Sequence, residues 1–284
     1  MVSNVLRLGL HVSIQGEIEE AVDRAIERGC STMQLFTRSP RGWRFRPLRE
    51  ETVECFKAKL KHSGIAPVFG HMPYLPNLAS PKDTVYTLSV RSLGVEFERC
   101  VELGIPYLVS HLGSNLGSGK TAGLKRVVAA INLALGEASA EITILLENTA
   151  GTKNSMGSTF EDIRRVIDSI RDQKHVGVCL DTCHAFAAGY DFLTPEAVTR
   201  TLECFENAVG MDRLRIVHLN DSKGGLRSHL DRHEHIGLGR IGEQGFRNIL
   251  SSPLGRLPLI LETPIDERRS DLGNIQKVRE LATQ

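Results

Sequence analysis

Six potential metal ligands stand at one position in successive strand-and-helix units. His71, His111, Glu147, Asp181, His218 and Glu262 each end or closely follow a short apolar, β-branched run. The runs are residues 65–69, 107–110, 142–146, 176–180, 214–217 and 257–261, and such runs read as strands buried on both faces. Most are preceded by a longer amphipathic stretch with apolar residues near helical spacing: 50–62, 89–103, 125–140, 160–170 and 195–209. Strand and helix therefore alternate. Two further runs, 6–12 and 32–36, raise the number of strands to eight, which closes a barrel. The chain has 284 residues, close to the roughly 250 typical of an eightfold β/α barrel, so residues 1–284 are expected to form one domain around one core.

In such a barrel the C-terminal strand ends meet at one mouth, which brings residues far apart in sequence within coordination range. An open doubly wound sheet also binds at C-terminal strand ends, but it gathers ligands at a switch point rather than from six strands. The expected fold is thus α/β, a (β/α)8 TIM barrel with a metal site at the C-terminal ends of its strands.

Composition removes several function classes. Lysine and arginine total 35 against 34 acidic residues, a net charge of +1, so no overall basic field advertises a polyanion and any nucleic-acid binding must be local. The six cysteines are scattered, without a CxxC pair, and read as reduced, mostly buried thiols. Residues 1–10 lack the pattern of a secretion signal, and no apolar stretch is long enough to span a bilayer. A soluble, intracellular, cytoplasmic protein is expected. The stretch from Asp266 onward reads as a charged helix or tail.

His71, His111, His184, His218 and His233 supply imidazoles, and Glu147, Asp181, Asp231 and Glu262 supply carboxylates. These nine residues exceed the needs of one ion, and two or three ions fit best. Nitrogen and oxygen donors without thiolate suit zinc, manganese or iron(II). Asp181 and His184 lie in one turn, and Asp231 and His233 are two apart, so each pair can feed neighbouring ions. Spacing alone does not choose among His229, Asp231, His233 and His235. His11 and His175 are expected to support the site or the fold, His62 to lie on a solvated helix face, and Cys179 and Cys183 to stay thiols in the barrel wall.

Charge narrows the substrate. Four carboxylates against three divalent ions leave a positive mouth, which attracts an anion such as a phosphodiester. Clustered ions also suit in-line displacement at phosphorus. The segment 37–49 adds a local basic patch of five arginines, Arg38, Arg41, Arg44, Arg46 and Arg49, with Trp43, Phe45 and no acid. Arginines bind backbone phosphates while an aromatic or apolar wedge enters a base stack. The proline-stiffened loop Met72-Pro73-Tyr74-Leu75-Pro76 offers such a wedge beside the metals.

Together these motifs resemble the endonuclease IV family of zinc-dependent apurinic/apyrimidinic endonucleases, and the likeness covers nearly the whole chain. It rests on Gly9-Leu10-His11-Val12-Ser13, Leu35-Phe36-Thr37, Leu146-Glu147-Asn148-Thr149-Ala150-Gly151, the long block from Cys179 to Asp191, His218-Leu219-Asn220-Asp221-Ser222-Lys223, Asp231-Arg232-His233 and Leu261-Glu262-Thr263.

The resemblance implies a hydrolase of the deoxyribonuclease IV type, acting in base excision repair. It implies three zinc ions: one on His71, His111 and Glu147, a second on Glu147, Asp181, His218 and Glu262, and a third on His184, Asp231 and His233. Glu147 would bridge the first two, and His229 and His235 would stay outside. It also implies cleavage of duplex DNA on the 5′ side of an abasic site, leaving a 3′-hydroxyl and a 5′-deoxyribose phosphate. Glu147 and Glu262 would orient or deprotonate the attacking hydroxide, while Arg41, Tyr74 and Leu75 would insert into the DNA and help the baseless sugar flip. The enzyme is expected to work as a monomer, with no membrane partner.

Two places depart from the family pattern. His111-Leu112-Gly113-Ser114 replaces a proline-containing turn, and Thr152-Lys153-Asn154 replaces a glutamine-glycine pair, so altered loop contacts are expected there. The competing reading is a metal-dependent sugar or sugar-phosphate isomerase or epimerase on the same barrel. A non-enzymatic DNA-binding module would have no use for nine metal ligands.

Overall fold

The computed structural model describes residues 6–137 and 142–283. Its elements in chain order are β1 (Leu8–Val12), α1 (Glu20–Glu27), β2 (Met33–Phe36), α2 (Glu50–Ser63), β3 (Val68–His71), α3 (Asp83–Leu103), β4 (Tyr107–His111), α4 (Lys120–Glu137) and β5 (Thr143–Glu147). Then follow α5 (Phe160–Ser169), β6 (Val176–Asp181), α6 (Thr182–Ala188), α7 (Pro195–Ala208), β7 (Leu214–His218), β8 (Asp221–Ser222), β9 (His233–Glu234), α8 (Gly242–Ser251), β10 (Leu259–Leu261) and α9 (Asp271–Ala282). Eight strands pair in the closed order β1-β10-β7-β6-β5-β4-β3-β2, and every neighbouring pair is parallel. The expected (β/α)8 barrel is present. β8 and β9 form a separate antiparallel ribbon beyond β7.

The expected runs all contain strands, with limits displaced toward the mouth. The run 65–69 becomes β3 only from Val68, because Pro67 has no N–H to give to a ladder. β3 through β7 each end on the ligand itself, since the ladder continues as far as Glu147 opposite Cys179 and Asp181 opposite His218. The helix expected over 125–140 is α4, ending at Glu137; residues 138–140 lie outside the described residues. Past Asp266 the chain forms α9, whose Ile275 and Val278 join the core.

The inside of the barrel explains where the ligands point. Phe69, Val109, Leu145, Cys179, Ile216 and Ile260 pack as one cluster, each fully buried. Each stands two residues before His71, His111, Glu147, Asp181, His218 or Glu262. Side chains two apart on a strand share a face, so the alternation that fills the barrel aims these six ligands into its mouth. A larger apolar layer lies between the strands and the helices. Thr159, Thr194 and Ser270 cap α5, α7 and α9 by accepting from the N–H three residues on, each cap worth about 1 kcal/mol. α2 and α3 stop at Gly64 and Gly104, whose φ values of 69° and 71° place them in the left-handed region. Among the described residues, no helix is long and apolar enough to cross a membrane.

Candidate metal centre

Glu147, fully buried, stands at the middle of the mouth. Its Oε2 lies 3.3 Å from Nε2 of both His71 and His111. Its Oε1 lies 3.0 Å from His218 Nδ1 and 3.5 Å from His184 Nδ1. His218 Nδ1 also faces Glu262 Oε2 at 3.4 Å and Asp181 Oδ2 at 3.9 Å. Farther out, His184 Nε2 lies 3.1 Å from Asp231 Oδ1, and His233 Nε2 lies 3.5 Å from Asp181 Oδ2. All nine expected ligands thus meet in three adjoining groups whose donor atoms lie within 4.8 Å of one another: His71, His111 and Glu147; Glu147, Asp181, His218 and Glu262; and His184, Asp231 and His233.

Hydrogen bonds behind the imidazoles decide which nitrogen is free. His71 Nδ1 donates to the Met72 carbonyl at 2.7 Å, His184 Nδ1 to the Asn148 carbonyl at 3.0 Å, and His233 Nδ1 to the Glu262 carbonyl at 3.0 Å. A carbonyl only accepts, so in the neutral ring the proton sits on Nδ1 and the Nε2 lone pair points into the mouth. His218 is turned the other way: Nε2 donates to Gln34 Oε1 at 2.8 Å, which frees Nδ1. Lone pairs therefore face carboxylate oxygens and require a cation between them. His233 Nε2 is buried without a hydrogen-bond partner. Three nitrogen and oxygen donor sets with three or four members suit divalent zinc, manganese or iron.

In a chain stripped of metal, protons take that part. Burial alone would push the imidazole of His71 down, but the hydrogen bond and charge of Glu147 outweigh it and raise it. His184 is raised well above its ordinary value, because Asp181, Asp231 and Glu147 together overcome burial. His218 is likewise raised well above it, burial being outweighed by Cys179, Glu262 and Glu147. Glu147 and Glu262 are held well below the usual carboxylate range despite burial, by the surrounding histidines. The hydrogen bond from His184 brings Asp231 to about 2. Cys179 lies within the same reach of Glu147 and His218, and Cys183 within that of Asp181 and His233. Burial pushes both thiols up to about 12, so they stay protonated and are poor donors.

Amides escaped sequence reasoning although they adjoin the ligands. Asn148 Oδ1 accepts from the Asp181 N–H at 2.7 Å, and its Nδ2 donates to the Asp181 carbonyl at 3.1 Å. Asn220 Nδ2 donates to Asp181 Oδ2 at 2.7 Å, and its Oδ1 accepts from the Glu262 N–H at 2.8 Å. Gln34 Nε2 donates to Glu262 Oε1 at 2.8 Å. The available signal was position: Asn148 follows Glu147 directly, and Asn220 follows His218 by two. Asn220→Ala is expected to weaken metal binding about 10- to 100-fold. Competition with a chelator measures this; unchanged affinity would mean that Asp181 and Glu262 need no such support.

Asp181 and His184, expected in a turn, instead open a helix. Asp181 caps α6 by accepting from the His184 N–H at 2.7 Å, which fixes the spacing of the two ligands. His11 Nδ1 lies 2.9 Å from Glu262 Oε1, behind the ligands. His235 is buried and tied to Asp266 at 2.9 Å, while His229 bonds the Ala150 carbonyl at 3.1 Å; neither joins a donor group among the described residues. His175 pairs with Asp172 just before β6 at the far end of the barrel, and His62 lies exposed on α2.

Beyond the ligands the mouth widens into an open cleft of about 1870 Å³, larger than small-molecule sites of roughly 300–1,000 Å³. Arg41 and Tyr74 line it together with His71, His111, His184, Asp231, His233 and Glu262. Tyr74 is 70% exposed and sets its ring edge-on to Phe36 at 5.1 Å between centroids, and the neighbouring Leu75 is 41% exposed. Arg38 is not part of the outward basic patch: it is buried against Glu96. Arg49 pairs with Glu17 at 3.0 Å, leaving Arg41, Arg44 and Arg46 exposed and without an ion-pair partner among the described residues.

The two departures from the family pattern meet each other. Asn115 N–H donates to the Asn154 carbonyl at 3.0 Å, and Met156 N–H to that of Gly113 at 2.9 Å. Asn77 clamps the first loop from below, accepting from the Ser114 N–H at 2.8 Å. Gly113 has φ 88°, and a Cβ there would stand 2.2 Å from Asn77 Oδ1. Leu112 is fully buried.

Residues 22–282 match the family model of the xylose isomerase-like TIM barrel. A probable endonuclease 4 of Methanoculleus marisnigri is 57% identical over 277 residues, covering 97% of this chain and 98% of the relative. The crystal structure of endonuclease IV from Thermus thermophilus superposes with a TM-score of 0.86 at 37% identity, covering 98% of this chain and 99% of that one. A D-tagatose 3-epimerase-like protein also shares the barrel, with a TM-score of 0.72 at 18% identity and 98% coverage of each chain.

Proposed function

The chain belongs to the endonuclease IV family and is a DNA-cleaving hydrolase, and from that premise we propose that it incises duplex DNA on the 5′ side of an abasic site with three zinc ions. In this reading the whole chain acts as one barrel domain and as a monomer in cytoplasmic DNA repair. His71, His111 and Glu147 hold one ion, Glu147, Asp181, His218 and Glu262 a second, and His184, Asp231 and His233 the third, with Glu147 shared by the first two. The observation that carries the reading is the junction of these three donor groups on one wide cleft whose rim presents Arg41 and Tyr74.

When bound, the ions would activate water, neutralise the phosphate and stabilise the leaving oxygen. The protein residues orient the reaction. Glu147, held ionised and central among four histidines, would help to orient the nucleophile. Glu262 Oε1 is held by Gln34 and His11, which fixes the carboxylate with Oε2 on the His218 side, where it would face the ion and orient the nucleophile. Arg41 meets backbone phosphate, while Tyr74 and Leu75 enter the stack left by the flipped sugar. A missing base lowers the cost of flipping, which selects damaged DNA.

Two features favour this reading over a sugar epimerase: a third donor group, and an exposed aromatic wedge that a small sugar does not need. Mapping the ends cut from a duplex with one abasic site tests it. A 3′-hydroxyl with a 5′-deoxyribose phosphate is expected; no cut after zinc is supplied would overturn it. Tyr74→Ala is expected to lower discrimination between abasic and intact duplex about tenfold, in line with the loss of one stacking ring, without changing zinc content. Unaltered selectivity would contradict the wedge.

A further inference from the structure

The segment 39–48, which carries Arg41, contains neither helix nor strand. Ordering such a segment costs backbone entropy at every residue, so something must hold it. Glu96 on α3 is the centre of what does. It is fully buried, and its carboxylate pairs with Arg38 Nε at 2.5 Å and accepts from the Thr37 hydroxyl. The Arg38 guanidinium also donates to Ser92 Oγ at 2.5 Å and to the Gly42 carbonyl at 2.9 Å. One turn along α3, Arg99 donates through Nε to the Thr37 carbonyl at 3.1 Å and through Nη1 to the Arg46 carbonyl at 3.0 Å.

Two guanidinium groups, one from α3 and one from just past β2, thus grip the loop's main chain at Gly42, directly after Arg41, and again at Arg46. Planar guanidinium forks suit such multiple contacts, which a lysine cannot reproduce. The carboxylate of Glu96 pairs with Arg38, and removing one partner of a buried charge pair leaves the other costly to bury.

We propose that Glu96, acting through Arg38 and together with Arg99, is the positioning element that holds Arg41 ready for DNA. This rests on the reading of Arg41 as a DNA contact. Glu96 touches no substrate; it lowers the ordering cost that would otherwise be met when DNA binds. Its loss therefore acts on DNA binding more than on chemistry.

The test is steady-state incision of a duplex with one abasic site by the zinc-loaded full chain, comparing Glu96→Gln, Arg41→Ala and the double variant. Glu96→Gln keeps the shape and removes the charge. A KM about tenfold higher is expected, with kcat within about threefold and wild-type zinc content. The double variant is expected to bind no worse than Arg41→Ala alone, because both changes act through one contact. A wild-type KM in Glu96→Gln, additive losses in the double variant, or a parallel fall in kcat and zinc content would each overturn the proposal. If Arg41→Ala itself leaves KM unchanged, the DNA role of Arg41 fails, and the proposal with it; an effect of Arg41→Ala without one of Glu96→Gln defeats only the positioning. Should Glu96→Gln not fold, Ser92→Ala, which removes one anchor of Arg38 on the same helix, is expected to raise KM severalfold, and an unchanged KM would count against the proposal.

Discussion

Glu147→Gln is expected to lower incision of abasic duplex by at least about 10³-fold and to leave the chain short of zinc. The side chain stays the same size, so the effect isolates charge. Both Glu147 oxygens are engaged, Oε2 between His71 and His111 and Oε1 between His218 and His184. An amide offers one neutral acceptor oxygen and a donor where the carboxylate offers two charged oxygens to a cation. Glu147 belongs to two of the donor groups, so both lose a carboxylate at once, and buried histidines lose the charge that compensates them. Metal analysis and incision on the same preparation measure this. Full zinc content with activity within tenfold of wild type would remove Glu147 from the centre of the mechanism.

Acidification is the second large effect. His71, His184 and His218 have raised proton affinity in the metal-free chain. Their imidazolium forms stabilise that chain below the ordinary value near 6.5, and this contribution is lost as pH rises through the raised values. Metal needs the same nitrogens neutral, so it competes with up to three protons, and its affinity runs in the opposite direction, increasing with pH. Zinc affinity is expected to fall by about one order of magnitude per pH unit for each ion, one raised histidine belonging to each donor group, as pH drops below the raised values. The metal-free chain should melt at a higher temperature near pH 6 than near pH 8, while the stabilisation added by zinc grows over the same interval. Chelator competition and thermal melts across that range provide the check. A zinc affinity independent of pH would mean that these histidines are not the ligands.

The barrel was legible because its units repeat: an apolar run, a polar ligand, then an amphipathic helix. The alternation that buries Leu145 and Cys179 inside also fixes the direction of Glu147 and Asp181, so strand identity and site location came from one signal. Strand limits were less legible. Hydrogen-bonded ladders continue through a polar residue when its neighbour is also in register, as at Glu147 and Cys179, and no local pattern reveals that. α6 escaped notice because its seven residues are nearly all buried and show no polar face. The ribbon of β8 and β9 spans only two residues on each side. Among the basic residues, Arg38 was misread as outward-facing because its partner Glu96 lies 58 residues further along. Asn148 and Asn220 were marked only by their place beside Glu147 and His218, since amides that hold ligands carry no charge pattern of their own.

Zinc per chain, determined on the same sample that is assayed on a duplex with a single abasic site, tests the central claim most directly. Close to three ions are expected, with a cut on the 5′ side that disappears with the metal and returns when zinc is restored. One ion or none after zinc is supplied, with the abasic strand left intact, would contradict it.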